Sequence, residues 1–502
     1  MTDDGGGVTN RAQSEEPPGP DDGLLRRVIR GGFWVMTLRV AMRVLFLART
    51  ILLARLLAPD DFGLFGIALL AMGAMEALSQ TGLQVALVQK KADVTSYLDT
   101  AWTVQAIRGM IAALALFGLA PFVGAFFGEP SAGALLRVLS LSFVLTGATN
   151  IGVIYFQKEL EFQKQFAYQF SATVADFGVA LVAAILLRNA WALVLGVLAG
   201  NLVGLIVSYA VHPYRPGLGV DWQKGRELFG FGKWVFSSNL LNYLVHSVDS
   251  LVVGKALSPA ALGLYQMAFR LSSAAATEIT NVVSQVAFPT YSKMQDDTPR
   301  LREAALRTMS MVSAVSLPLA GGTFILAPEL TMLLLGEKWM PMVPVLQLLC
   351  ISGALRSVTA NFGPVFLSAG RPDIQTKASM VNLSVLGVGL YPLVTGFGMI
   401  GAVYARLLTF VSEFYTWPSF TRLLQASFRD LVRALGPPLL CTSAMIVAVA
   451  AAKAALGSQN TLSLLLVAMM GGACYLGALV LLDNMFELGI IRSIRLIRAA
   501  LQ

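Results

Sequence analysis

Charge is scarce in this sequence. Asp, Glu, Lys and Arg make up 13% of its 502 residues, about half the share of roughly 25% found in soluble globular domains. So few charges cannot cover the surface of a soluble protein this long. Histidine is nearly absent: His212 and His246 are the only two, which leaves no basis for a histidine metal centre. The three cysteines, Cys350, Cys441 and Cys474, lie far apart, with neither metal-site nor disulfide-framework spacing. No Gly-rich phosphate loop ending in Lys-Ser/Thr is present. Asp61-Phe62-Gly63, Asp176-Phe177-Gly178 and Ala327-Pro328-Glu329 spell kinase triplets, but no glycine-rich loop or catalytic loop accompanies them. No catalytic residue, metal or cofactor is therefore expected.

What fills the sequence is apolar. Apolar residues make up 56% of it, and mean hydropathy is +0.68. Each helix crossing a bilayer needs about 20 such residues, and about fourteen runs qualify. They extend from 33–54 through 62–88 and 101–126 to 435–455 and 461–482. The expected fold is an all-α polytopic membrane protein. Residues 1–30, rich in Gly, Pro, Asp and Glu, read as a disordered tail and not as a secretory signal. With both ends placed in the cytoplasm, 23 Lys and Arg fall on inner segments and 5 on outer ones. That bias fits an even number of spans and explains the net charge of +8 without nucleic acid. Between spans four and five, residues 157–166 are open to two readings, an interfacial helix or a polar loop.

The chain repeats itself at an offset of 200. Gly32, Trp34 and Val35 match Gly232, Trp234 and Val235. Leu57, Pro59, Gly63 and Leu64 match Leu257, Pro259, Gly263 and Leu264. Six spans separate the copies, so the two halves run parallel, as in two-bundle transporters with a site between the bundles.

Polar residues inside the spans mark where that site should lie, because a charge at the bilayer centre costs roughly 2.5–3.5 kcal/mol even on the lenient insertion scale. Asn239, Asn242, His246 and Asp249 are spaced 3, 4 and 3 apart, which puts them on one helical stripe. In the other repeat the corresponding span carries Arg39, Arg43 and Arg49. Span eight adds Arg270, Thr277, Glu278, Asn281 and Gln285. Further candidates are Glu76, Gln80, Gln84, Gln105, Arg108, Asp176, Arg356, Asn361, Arg406 and Glu413. The cationic bias suits a phosphate ligand, since guanidinium matches phosphate with two parallel hydrogen bonds. Arg39, Arg43, Arg49 and Arg270 are candidates to hold a pyrophosphate, and Asp249, Glu278 and Glu76 to titrate or bind a coupling ion. The competing reading for several of them is a structural ion pair or a side chain snorkelling to the interface. Gly196, Gly200 and Gly204 form two overlapping GxxxG patterns, read as close helix packing.

Several stretches are similar to a known family. They are Leu53-Ala54-Arg55-Leu56-Leu57-Ala58-Pro59-Asp60-Asp61-Phe62-Gly63-Leu64, Phe156-Gln157-Lys158-Glu159-Leu160-Glu161-Phe162, Asp249-Ser250-Leu251-Val252-Val253-Gly254 and Leu262-Gly263-Leu264-Tyr265-Gln266-Met267-Ala268. They resemble the Wzx-type, WzxC-like flippases of the multidrug/oligosaccharidyl-lipid/polysaccharide exporter superfamily. The resemblance implies two pseudo-symmetric six-helix lobes around a central cavity, plus two C-terminal helices. The corresponding division is a tail 1–30, lobes 31–212 and 231–424, a linker 213–230, extra spans 425–485 and a basic tail 486–502. It implies, as cargo, an undecaprenyl-diphosphate-linked oligosaccharide carried across the bacterial inner membrane by alternating access for exopolysaccharide, capsule or lipopolysaccharide synthesis. Its partners are then that lipid, membrane lipids and a polymerase or export machinery. On this reading Arg39, Arg43 and Arg270 attract the pyrophosphate, Asn239, Asn242 and His246 contact sugar hydroxyls, and Asp249 or Glu278 couples to a gradient. Alternatives are a cation-coupled drug exporter, which would want an anionic cavity, and a membrane glycosyltransferase, which would need larger loops.

Overall fold

In a computed structural model, residues 41–80, 95–159, 161–219, 221–456 and 461–486 are described; for 222–238 and 274–286 the description covers the backbone. The described residues are almost wholly helical and contain no strand. Ten helices or helix pairs are long and apolar enough to cross a membrane. The chain is a multi-pass membrane protein.

The first lobe contains α1 (41–56), α2 (Pro59–Ser79), α3 (Thr95–Phe127), the pair α4 (Pro130–Leu139) and α5 (Leu141–Gly147), the short α6 (Ile154–Lys158), α7 (Phe162–Leu187) and α8 (Trp191–Val211). The second contains α9 (Trp222–Ala256), α10 (Pro259–Ser292), α11 (Thr298–Ile325), the short α12 (Ala327–Leu334), α13 (Val343–Thr359), α14 (Phe362–Ser368), α15 (Pro372–Leu408) and α16 (Glu413–Leu424). Helices α17 (Phe428–Leu456) and α18 (Thr461–Phe486) follow. Two adjoining apolar runs, 378–396 and 399–420, merge into α15, but Gly398 breaks it with φ 62° and ψ −142°. Gly401 then lies so close to Leu393 that a Cβ would meet its carbonyl oxygen at 1.9 Å. The expected turn between two spans is therefore present. In segment 157–166, α6 ends at Lys158 and α7 begins at Phe162; Leu160 lies outside the described residues.

The repeat has a physical purpose. Pro59 and Pro259 each start a helix at the position where a missing N–H costs nothing. Four residues on, Gly63 and Gly263 let the two helices cross at backbone contact. A Cβ on Gly63 would meet the Pro259 carbonyl oxygen at 1.7 Å, and one on Gly263 would meet that of Pro59 at 2.1 Å. The lobes are joined at this end, which the charge count places outside. The 3-10 turn after α12 strengthens the joint. Trp339 is fully buried, its Nε1 donates to Ala54 O at 2.9 Å, and its ring meets Phe62 edge-on at 5.2 Å. Arg55 Nε donates to Leu334 O at 2.9 Å, and Lys338 Nζ to Arg55 O at 3.0 Å. Lys255, the repeat partner of Arg55, donates to Phe126 O of the opposite lobe.

A branched side chain at Gly63 must push these helices apart. Overpacking of about 1–3 kcal/mol moves the closed-to-open ratio roughly tenfold. Gly63→Val is expected to raise the reactivity of a cysteine placed at buried Leu57 toward a water-soluble maleimide by about that factor. Unchanged reactivity would show that this contact does not hold the end shut.

At the other end the linker between the lobes is tied to the start of α3. Gly217 N donates to Asp99 Oδ1 at 2.9 Å, Asp221 N to Thr100 Oγ1 at 3.2 Å, and Tyr214 OH bonds the same Asp99. Burial and the Asp99 charge raise the Tyr214 phenol above its ordinary pKa.

Candidate functional site

The polar residues of the spans sort into three groups according to what faces them. In the first lobe, Arg49 of α1 reaches Asp176 of α7 with both nitrogens, Nε to Oδ2 and Nη2 to Oδ1, each 3.0 Å. The glycines of α8 make room for this pair. A Cβ on Gly196 would meet Asp176 Oδ1 at 2.6 Å, and one on Gly200 would meet the Asp176 Cβ at 2.9 Å. The packing reading of that motif holds, and it also positions an ion pair. Gly196→Leu is expected to expel Asp176 and cost about 1–3 kcal/mol, measurable as a lower unfolding temperature in detergent; an unchanged temperature would contradict it.

In the second lobe, Asp249 of α9 is 2% exposed. It accepts from Arg406 Nε of α15 at 2.5 Å and from Tyr265 OH of α10 at 2.6 Å. The Arg406 guanidinium also lies over the Phe269 ring, 4.6 Å from its centroid. Arg49 and Asp249 occupy equivalent repeat positions. Their charges are opposite, and each is neutralised from within its own lobe.

Between the lobes runs a looser chain. Arg108 of α3 stands 3.6 Å from Glu76 of α2. Gln80 Nε2 donates to Glu76 Oε1 at 3.1 Å, and Asn239 of α9 donates to Gln80 Oε1. Asn242 and His246 are exposed, and His246 Nδ1 donates to the Asn242 carbonyl oxygen at 2.8 Å. The stripe Asn239, Asn242, His246 and Asp249 is thus on one helix, but its last member is sealed inside the second lobe.

Two arginines remain. Arg270 of α10 and Arg356 of α13 are half-buried, with no side-chain hydrogen bond or ion pair among the described residues. Arg43 lies 5.7 Å over the Phe46 ring. Arg39 and the Glu278 side chain lie outside the described residues. Gln105 and Asn361 are structural. Gln105 Nε2 bonds the carbonyls where α5 ends, at 3.2 Å to Gly147. Asn361 bridges Tyr291 OH at 2.9 Å and Ala305 O at 2.9 Å.

Among the described residues, Asp176, Asp249 and Glu76 each face an arginine, while Arg270 and Arg356 have no hydrogen bond or ion pair. This balance suits an anionic ligand and not a cationic one. The sequence profile of polysaccharide biosynthesis proteins matches residues 52–344, more than half of the chain. The chain belongs to that family. Among its relatives, the lipopolysaccharide biosynthesis protein WzxC of Escherichia coli K12 is 28% identical over 386 residues, covering 76% of this chain and 78% of its own. The teichuronic acid biosynthesis protein TuaB of Bacillus subtilis 168 is 24% identical, covering 91% and 96%. In three dimensions the chain is similar to the lipid II flippase MurJ in an inward closed conformation. The TM-score is 0.66, with 14% identity, 90% of this chain and 100% of that one covered. That likeness shows a shared fold.

Arg356, Arg406 and Tyr265 are the residues that sequence reasoning undervalued. Arg356 and Arg406 stood out as intramembrane charges, but nothing in their spacing told which had a partner. Tyr265 stood only within a stretch that resembles the family.

Proposed function

We propose that this protein is a flippase that moves an undecaprenyl-diphosphate-linked oligosaccharide from the inner to the outer leaflet of the bacterial inner membrane, both termini in the cytoplasm, for polysaccharide synthesis. The observation that carries this reading is Arg270, half-buried on α10 with no hydrogen bond or ion pair among the described residues. A guanidinium kept unpaired at membrane depth is costly unless a ligand uses it. A diphosphate is such a ligand, compact and rich in acceptors. Arg270 is assigned the main grip, with Arg49 and Arg43 of α1 as further candidates; Arg39, also a candidate, lies outside the described residues. Exposed Asn242 and His246, with Asn239, offer donors and acceptors to sugar hydroxyls.

Ion coupling is assigned to Asp249, Glu76 and Glu278. Asp249 is held by Arg406 of α15 and Tyr265 of α10, so a change in its partners would be tied to movement of α15 against α9. Glu76 has the looser partner. A drug exporter for cations would need the opposite balance of charge.

The test is mass spectrometry of lipid-linked intermediates in cells with and without the gene, with the polymer assayed in parallel. Accumulation of diphosphate-linked oligosaccharide and loss of polymer are expected on deletion. Unchanged lipids and polymer would count against the reading.

A further inference from the structure

The strap that joins the two lobes carries a polar cluster outside the spans. α8 ends at Val211 and α9 begins at Trp222, and residues 212–219 and 221 between them form no helix. Side chains of the first lobe hold this strap by its backbone. Gly217 N donates to Asp99 Oδ1 at 2.9 Å, Gly219 N to Thr103 Oγ1 at 3.3 Å and Asp221 N to Thr100 Oγ1 at 3.2 Å. Asn150 Nδ2 donates to Tyr214 O at 2.7 Å. The strap therefore belongs to the first lobe as far as the residue before α9, and motion of one lobe against the other must pivot where α9 starts.

One contact of the strap depends on a proton. His212 has extended backbone, φ −116° and ψ 130°, and its Nδ1 accepts the Tyr214 N–H at 3.2 Å. A side-chain acceptor bonded to the N–H two residues on is an Asx turn built with an imidazole. A nitrogen that accepts carries no proton, so this bond exists only on the neutral ring. Packing fixes the ring. It stacks on Tyr155, centroids 5.7 Å and planes 3° apart. It also lies so close to Gly152 that a Cβ there would meet Nδ1 at 2.4 Å, which leaves little room to turn and offer the other nitrogen.

The ionisable groups around the ring are Tyr155 and Glu159 at α6, Glu161 and Lys164 at the start of α7, and Tyr214 and Arg215 of the strap. Arg215 Nη1 donates to the His212 carbonyl oxygen at 2.8 Å. Burial, followed by Lys164, pushes the imidazole pKa below its ordinary value, against Glu161 and Glu159. The ring is therefore neutral at neutral pH and gains its proton as pH falls. Asp99 of α3, which anchors the middle of the strap, does not change in that range. Hydrogen bonds from Tyr214 and Gly217 hold its carboxyl below the usual carboxylate value.

We propose that His212 is a pH-sensitive clasp on the connection between the lobes: neutral, it pins the strap to the first lobe, and protonated, it loosens the strap and gives the two lobes slack. The clasp goes beyond the flippase reading and does not depend on the cargo. Only its facing the cytoplasm rests on that reading, and the experiment below does not use it.

The experiment is hydrogen exchange read by mass spectrometry on the full-length protein in lipid nanodiscs. It is run at about pH 7.5 and about pH 5, on either side of the ordinary histidine value of roughly 6.5. Exchange of segment 213–221 is divided by the rate of an unstructured peptide at the same pH, which leaves the protection. In the wild type, protection is expected to fall about tenfold at the lower pH, the scale of one lost hydrogen bond. His212→Asn offers its Oδ1 to the same N–H and cannot titrate. It is expected to keep the protection at both pH values. His212→Phe keeps a ring over Tyr155 but has no acceptor, and is expected to show low protection at both. Equal wild-type protection at the two pH values would overturn the proposal, and this outcome needs no variant to fold. So would a His212→Asn protein that loses protection as the wild type does, because another group would then be the switch.

Discussion

Replacing Arg270 by Gln is expected to lower translocation of a diphosphate-linked saccharide about a hundredfold while the protein remains folded. The side chain is unpartnered, so its removal breaks no ion pair and leaves no buried charge behind. What it removes is two charge-assisted hydrogen bonds to the ligand, each worth roughly 1.5–3 kcal/mol, of which about 3 kcal/mol in total gives the hundredfold. With no ion pair broken, the variant should be about as stable as the parent. Translocation in proteoliposomes measures the first effect and unfolding temperature in detergent the second. A stable variant with undiminished transport would remove Arg270 from the site.

Asp249→Ala is expected to do the reverse. Asp249 is sealed in the second lobe, and its loss strands Arg406 and the Tyr265 hydroxyl without their acceptor. Breaking one partner of a buried pair costs about 3–5 kcal/mol, because an uncompensated charge stays inside. Removing both partners costs much less. The double variant Asp249→Ala/Arg406→Leu should therefore unfold at a higher temperature than Asp249→Ala alone. Additive losses would show that the two side chains do not depend on each other. The same pair makes it possible to separate structure from coupling. If the double variant is stable and still transports but no longer responds to a gradient, Asp249 serves both.

The parts of this fold that follow from short-range chemistry were legible in the sequence. Apolar runs mark helices because a membrane demands them. Pro59 with Gly63, and Pro259 with Gly263, announced a repeated junction, since proline starts a helix and glycine permits a close crossing. The glycines of α8 predicted tight packing for the same reason. What was not legible is which charges face each other. Arg49 and Asp176 are 127 residues apart, and Asp249 and Arg406 are 157 apart. No periodicity within one helix reveals the rotation of another. The Asn239-to-Asp249 stripe shows the limit. Its spacing correctly places four polar residues along one face, yet the helix carries that face from exposed Asn242 and His246 into the core at Asp249. Arg356 needed the opposite information, the absence of a partner, and only the assembled helices supply that.

If the unpartnered Arg270 grips a diphosphate, the diphosphate decides which lipid is moved. The most direct measurement is translocation of a fluorescent undecaprenyl-diphosphate oligosaccharide by the purified protein in liposomes, with the neutral prenyl glycoside lacking the diphosphate as the companion substrate. The diphosphate lipid should cross at a rate well above that of empty liposomes, and the neutral lipid should not. Equal handling of the two lipids, or movement of neither, would contradict the account.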